Sequence, residues 1–237
     1  MGGLVSKQGK RHSHVVGRGP GAITSDGCPV ALWATLPAGD IPSIIEPALP
    51  PGASVLDLGA GAGRLTHPLV VAGHHVTAVD ESTEMLSRIR QAETICSTIE
   101  ELHLDRKFDV VLLASHLVNV PDTAARDGIL AACRRHVAED GIVLIQRFTR
   151  KWMQEAAGSK CLGAGIESET TVEPKNDAEQ DLVSVVAKYS IGDQRWEQAY
   201  VTCLLDDDAL NADLHRARLQ LDRWPRFVSG DRCLLRR

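Results

Sequence analysis

The sequence has no C-x-x-C pair, and no histidine cluster stands near its cysteines at zinc spacing. Its six cysteines, Cys28, Cys96, Cys133, Cys161, Cys203 and Cys233, are scattered. Such dispersal suits reduced thiols and a cytoplasmic location rather than a disulfide framework. There is no basic surplus either. The formal net charge of -5 speaks against a nucleic-acid partner. No apolar run approaches the roughly 18 residues that cross a bilayer. No apolar h-region opens the chain, so neither a membrane span nor a leader is expected. "MGGLVS" fits the loose acylation pattern Met-Gly-x-x-x-Ser, but the pattern is permissive and the stretch reads rather as a flexible start or a cloning remnant. No internal repeat is visible.

What is present is an ordinary globular balance in 237 residues, 43% apolar and 24% charged. Residues 1–21 are rich in glycine and basic side chains without periodicity and read as a disordered tail. Residues 22–50 carry many prolines. Short helical pieces in "PVALWATL" and "IPSIIEPAL" suggest a helical cap.

Regular alternation begins at Ser54. "SVLDL", "HVTAVD", "ETICS", "FDVVLLAS" and "GIVLIQRF" read as strands, with helical stretches between most of them. That rhythm predicts parallel βαβ units in a doubly wound α/β sheet with helices on both faces. After Phe148 the rhythm changes. Residues 150–180 look irregular and polar, and 182–205 read as a hairpin turning near Gly192-Asp193. Residues 150–205 are thus expected to form a substrate-side insertion in a main domain spanning 51–237. "DDDALNADLHRARL" is a helix with an acidic first turn, and two last strands flank Ser229-Gly230.

The informative stretch is "SVLDLGAGAGRL". Asp57, Gly59, Gly61 and Gly63 stand where a strand turns into a helix. Glycine lets the chain turn sharply and lets another molecule touch the backbone. A dinucleotide loop of G-x-G-x-x-G form wants a small residue at position 64, where Arg64 stands. An acid at the strand end repels a pyrophosphate and welcomes a cation.

"VLDLGAGAG" resembles the first motif of the class I S-adenosylmethionine-dependent methyltransferases. The resemblance covers residues 51–148. It implies a Rossmann-like methyltransferase fold with a mostly parallel seven-stranded sheet, a β-hairpin insertion near the C-terminus and S-adenosylmethionine as cofactor. It implies that Asp57, Gly59, Ala60, Gly61 and Gly63 cradle the methionine part. Asp80, ending "HVTAVD", then binds the ribose hydroxyls, with Glu81 and Met85 at the adenine edge. Many members carry an adenine-binding acid in the loop that is "ICSTIEEL" here. Thr98 or Ser97 replaces it, with the Ile99 backbone N–H helping. In "LLASHLVNVPD", Ala114 lies beneath the methionine part, and His116, Leu117 and Asn119 face the acceptor.

His116 suits a general base or a pocket-shaping ring. Trp33, Arg147 and Trp152 are further acceptor-side candidates. The expected activity is metal-independent methyl transfer to an O, N or C nucleophile of a small molecule such as a secondary metabolite, by a monomer or homodimer. The alternatives are a nucleic-acid or protein methyltransferase and a non-catalytic cofactor-binding module. The N-P-P-Y motif of the amino-group DNA enzymes is absent, "SHLVNVPD" standing in its place.

Overall fold

A computed structural model describes residues 15–175, 181–222 and 232–236. In chain order the elements begin with β1 (Val16–Arg18), α1 (Val30–Trp33), α2 (Ile41–Ile45), β2 (Ser54–Leu58), α3 (Thr66–Val71) and β3 (His75–Asp80). There follow α4 (Thr83–Leu86), β4 (Glu93–Cys96), β5 (Phe108–Leu113), α5 (Thr123–His136), β6 (Val137–Gln146) and α6 (Arg150–Ala156). The chain closes with β7 (Gly158–Gly163), β8 (Ile166–Pro174), β9 (Leu182–Ile191), β10 (Gln194–Cys203), α7 (Asp207–Arg216), β11 (Gln220–Asp222) and β12 (Arg232–Arg236).

The main sheet has seven strands in the order β11-β12-β6-β5-β2-β3-β4. The five from β6 to β4 are parallel, and β12 and β11 are antiparallel additions at one edge. Period-2 alternation sends side chains to opposite faces, and both faces are covered. Leu56, Leu58, Val111 and Leu113 pack with Ile129, Leu130, Leu210 and Leu214 of α5 and α7. Val55, Val110 and Leu112 pack instead with Ile41, Ile45, Leu65 and Leu69. The helix ends follow from local chemistry. Asp122 caps α5 by accepting from Ala124 and Ala125 N–H, and Arg134, Arg135 and His136 fill its last turn. Asp206 caps α7 in the same way through Ala209 N–H.

The region after Phe148 is more ordered than its sequence suggests. It is not a lone hairpin but part of a second, antiparallel sheet of five strands, β1-β10-β9-β8-β7. Residues 158–174, which look irregular in sequence, supply two of those strands. Val16–Arg18, assigned above to a tail, pair with Ala199, Gln198 and Glu197 of β10. Residues 1–14 of that tail, and the turn around Ser229-Gly230, lie outside the described residues. Among the described residues no helix is long and apolar enough to cross a membrane.

Candidate active site

The carboxyl ends of β2, β3 and β5 meet at one edge, where parallel sheets hold their ligands. The loop leaving β2 crosses this edge with Gly59 at φ +69° and Gly61 at φ +55°. The two glycines serve different ends. A Cβ on Gly59 would lie 2.2 Å from Leu117 Cδ1, so the bare backbone there admits the opposite wall. A Cβ on Gly61 would meet nothing within 4 Å, so that backbone faces open space. Gly63 makes room for the His67 ring and Ile89 instead and is not among the cavity-lining residues.

Asp80 ties two loops together. Its Oδ2 accepts from Gly61 N–H at 2.8 Å and its Oδ1 from Ser82 N–H at 2.9 Å. A carboxylate has about four acceptor sites, so these two bonds leave room for two hydroxyls. Burial raises the Asp80 pKa, against the two backbone bonds, and the Asp26 and Glu81 charges add to the rise. Asp57 sits deeper. It is buried, and its Oδ2 accepts from Thr66 Oγ1 at 2.7 Å. Burial pushes its carboxyl up to about 6, opposed by the Thr66 bond and the Arg64 charge.

The facing wall follows β5. Ser115 and His116 both adopt left-handed backbone, φ +54° and +61°, which non-glycine residues seldom do. Ser115 N–H donates to Gln146 Oε1 at 3.1 Å and its Oγ accepts from Arg64 Nη2 at 3.3 Å. The His116 ring stacks on Phe148, with centroids 3.5 Å apart and planes 13° off parallel. Ala114, Leu117, Ile99, Met85 and Glu81 also line the cavity. Glu81 Oε1 accepts from Ser25 Oγ at 2.8 Å, which fastens the N-terminal cap to the end of β3.

Other expected residues fall elsewhere. The Asn119 amide is spent on backbone. Nδ2 donates to Phe148 O at 2.9 Å and Cys203 O at 2.6 Å, while Oδ1 accepts from Phe148 N–H at 2.7 Å. It lines the cavity but clamps the wall rather than presenting an amide to an acceptor. Arg147 is not among the lining residues. It donates to Asp206 O at 2.9 Å and pairs with Asp207 at the start of α7. The cause is alternation: Gln146 and Phe148 face the cavity, so the residue between them faces away. Thr98 also misses the cavity, its hydroxyl donating to Glu101 Oε2 at 3.1 Å, whereas Ser97 lines it. Trp33 lines the cavity from α1. Trp152 falls on α6, and its side chain lies outside what the structure describes.

Sequence reasoning placed the 182–205 hairpin on the substrate side but named none of its cavity-facing residues. Tyr189, Gln198 and Tyr200 of β9 and β10, with Cys28 and Asp26 of the cap, close the cavity from above. The alternation of "RWEQAYVT" carried the signal, since Trp196, Gln198 and Tyr200 share one face. The cavity volume is about 570 Å³, within the usual range for small-ligand sites. Among the described residues no group of three His, Cys, Asp or Glu side chains is placed to hold a metal ion.

A five-strand parallel core extended by antiparallel strands at one edge, with a glycine turn after β2 and an acid ending β3, matches the class I, S-adenosylmethionine-dependent methyltransferase fold. Comparison with known proteins agrees: residues 55–141 match the family described as "Methyltransferase domain", and the chain carries such a domain. It is 32% identical over 113 residues to a ubiquinone biosynthesis O-methyltransferase of Haemophilus ducreyi, covering 42% of this chain and 47% of that protein. The chain thus spans less than half the length of the curated relatives it matches. Among solved structures, the CcbJ methyltransferase from Streptomyces caelestis superposes with a TM-score of 0.68 at 18% identity, over 84% of this chain and 90% of that one. S-adenosylmethionine-bound CalS10 from Micromonospora echinaspora, an amino pentose methyltransferase, gives 0.65 at 17% identity, over 84% and 89%. At these identities the structural likeness is one of fold.

Proposed function

We propose that the protein transfers a methyl group from S-adenosylmethionine to an O, N or C nucleophile of a small molecule. The observation that carries this reading is the Asp80 clamp. One carboxylate holds the glycine loop open at Gly61 and keeps acceptor sites for two vicinal hydroxyls. The residues present fit the cofactor in other respects. Asp57 and Glu81 add negative potential where a cation is to be held, and Ile99, Met85 and Ala114 offer apolar surface for a purine and a methionine chain. When bound, S-adenosylmethionine supplies a methyl group on a positively charged sulfur that leaves readily.

The remaining work is positional. The walls fix acceptor and donor in one line, which supplies several kcal/mol by removing the entropy of encounter. The second sheet and the cap keep water out. His116, held against Phe148, takes the proton that an acceptor hydroxyl or amine loses. A cavity roofed by a sheet suits a small acceptor better than a macromolecule. Relatives named for ubiquinone biosynthesis, and neighbours named for an amino pentose and a glycopeptide, support a small-molecule or natural-product acceptor. Calorimetry with S-adenosylmethionine, followed by transfer of isotope-labelled methyl to a panel of small molecules, tests the reading. Tight binding of a nicotinamide or flavin nucleotide with no uptake of S-adenosylmethionine would overturn it.

A further inference from the structure

The inner face of the second sheet changes character along its length. Near α6 it is apolar, with Val183 and Val185 packed on Phe148, Met153 and Leu204. Over the cavity it presents Tyr189, Gln198 and Tyr200. Tyr200 packs against the Phe148 cluster, so this polar stretch starts beside the His116–Phe148 stack. Gln198 is 7% exposed and its Nε2 donates to Cys28 Sγ at 3.3 Å, which ties the roof to the cap. Opposite, Trp33 lines the same space, and its buried Nε1–H meets no acceptor among the described residues.

The sheet's share of this roof, Tyr189, Gln198 and Tyr200, is neutral. Burial pushes the Tyr189 phenol up to about 12 and raises that of Tyr200 further, so both keep their protons at any working pH. Among the described lining residues Arg64 is the one Lys or Arg. It lies on the glycine loop, on the cofactor side, beside Asp57 and bonded to Ser115. Asp26, Asp40, Asp57, Asp80 and Glu81 line the cavity against it. Phenols, an amide and an indole N–H match hydroxyl groups well. They leave a phosphate or carboxylate without a counter-charge, and a buried unpaired anion is costly.

We propose that the cavity face of β9 and β10, with Trp33 opposite, is the acceptor subsite, and that it takes a hydroxyl-bearing acceptor without phosphate or carboxylate groups. This rests on the methyl-transfer reading and names the acceptor class for the same site. The test uses labelled S-adenosylmethionine and matched probes. Methyl glucoside and glucosamine are set against glucose 6-phosphate and glucuronate, and catechol and dopamine against 3,4-dihydroxybenzoate. The expected result is label entering the non-anionic probes at rates at least tenfold above their anionic partners. Tyr200→Phe, a change that preserves packing, raises the KM of the accepted probe at least tenfold and leaves S-adenosylmethionine affinity within twofold. Preference for an anionic probe, an unchanged KM in Tyr200→Phe, or no labelled product from any probe while S-adenosylmethionine binds normally overturns the proposal. Failure to bind S-adenosylmethionine overturns the underlying methyl-transfer reading instead, so the two failures are distinct.

Discussion

Leu117 closes over Gly59: its Cδ1 methyl lies 2.2 Å from where a Gly59 Cβ would stand. The two residues come from different strand ends, so the glycine is needed for the wall as much as for the turn. Gly59→Ala would place an L-residue at φ +69°, a strain of about 1–2 kcal/mol, and would push Leu117 into the cavity. The expected outcome is at least tenfold weaker S-adenosylmethionine binding, about 1.4 kcal/mol by calorimetry. Pairing the change with Leu117→Ala should restore part of that loss. A double variant no better than the single one would show that the steric account is wrong.

Asp80 is expected to matter through charge and shape together. Asp80→Ala removes the carboxylate proposed to accept from the ribose and leaves the Gly61 and Ser82 N–H groups without their partner. S-adenosylmethionine affinity should fall at least tenfold, about 1.4 kcal/mol. Asp80→Asn keeps the shape but turns one acceptor into a donor facing a backbone N–H, so it too should bind weakly. Calorimetry that finds either variant unchanged would remove Asp80 from the cofactor site.

Asp57 is expected to link cofactor binding to stability in opposite directions. Its folded-state pKa is about 6 against an ordinary 3.8, because burial disfavours the charge. The native state therefore holds this proton more tightly than the unfolded chain does. The favourable contribution is full below pH 3.8 and is lost as pH rises through 6. At pH 8 the buried charge costs on the order of 3 kcal/mol. Asp57→Asn can still accept from Thr66, so it should unfold at higher denaturant than the parent at pH 8. The gap should close toward pH 4. At pH 8 the same variant should bind the cationic cofactor more weakly. Parallel stability curves for the two proteins across this range would count against a raised Asp57 pKa.

The parts of the site that were legible in the sequence are those made by local geometry. The run from Ser54 to Leu65 shows strand, turn and helix in order, and Asp80 ends the next strand, so the edge they share follows from two adjacent βαβ units. Thr98, Asn119 and Arg147 were harder, each for a physical reason. Thr98 and Ser97 differ by one position, and which of them faces the cavity depends on the exact course of a loop. Arg147 follows directly on β6, between Gln146 and Phe148, which both line the cavity while it does not. The partners of Asn119 are Phe148 and Cys203, far along the chain, so nothing nearby announces the clamp. The hairpin was expected on the substrate side, but its cavity-facing residues and the full five-strand sheet were missed for the same reason. Strand β1 has three residues and pairs with β10 near the other end of the chain. Strand β8 exposes Glu167, Glu169, Thr171 and Glu173, and its polarity masks the alternation.

Asn119 is where the structure changes a functional assignment into a structural one. Its amide satisfies the N–H and C=O of Phe148 and the C=O of Cys203 at a fully buried point. Thr202 Oγ1 also donates to the Asn119 carbonyl at 3.0 Å, so the loop after β5 is stitched to β10 twice. Asn119→Ala strands three backbone groups, and each unsatisfied buried group costs roughly 1–3 kcal/mol, less than additively when they share a site. A net loss of about 2 kcal/mol lowers the melting temperature of a chain this size by about 4–8 °C. Because Phe148 carries the stacked His116 ring, turnover should also fall while the acceptor KM changes little. A raised KM with an unshifted melting temperature would mean the opposite, that the amide contacts the acceptor and the backbone bonds are incidental.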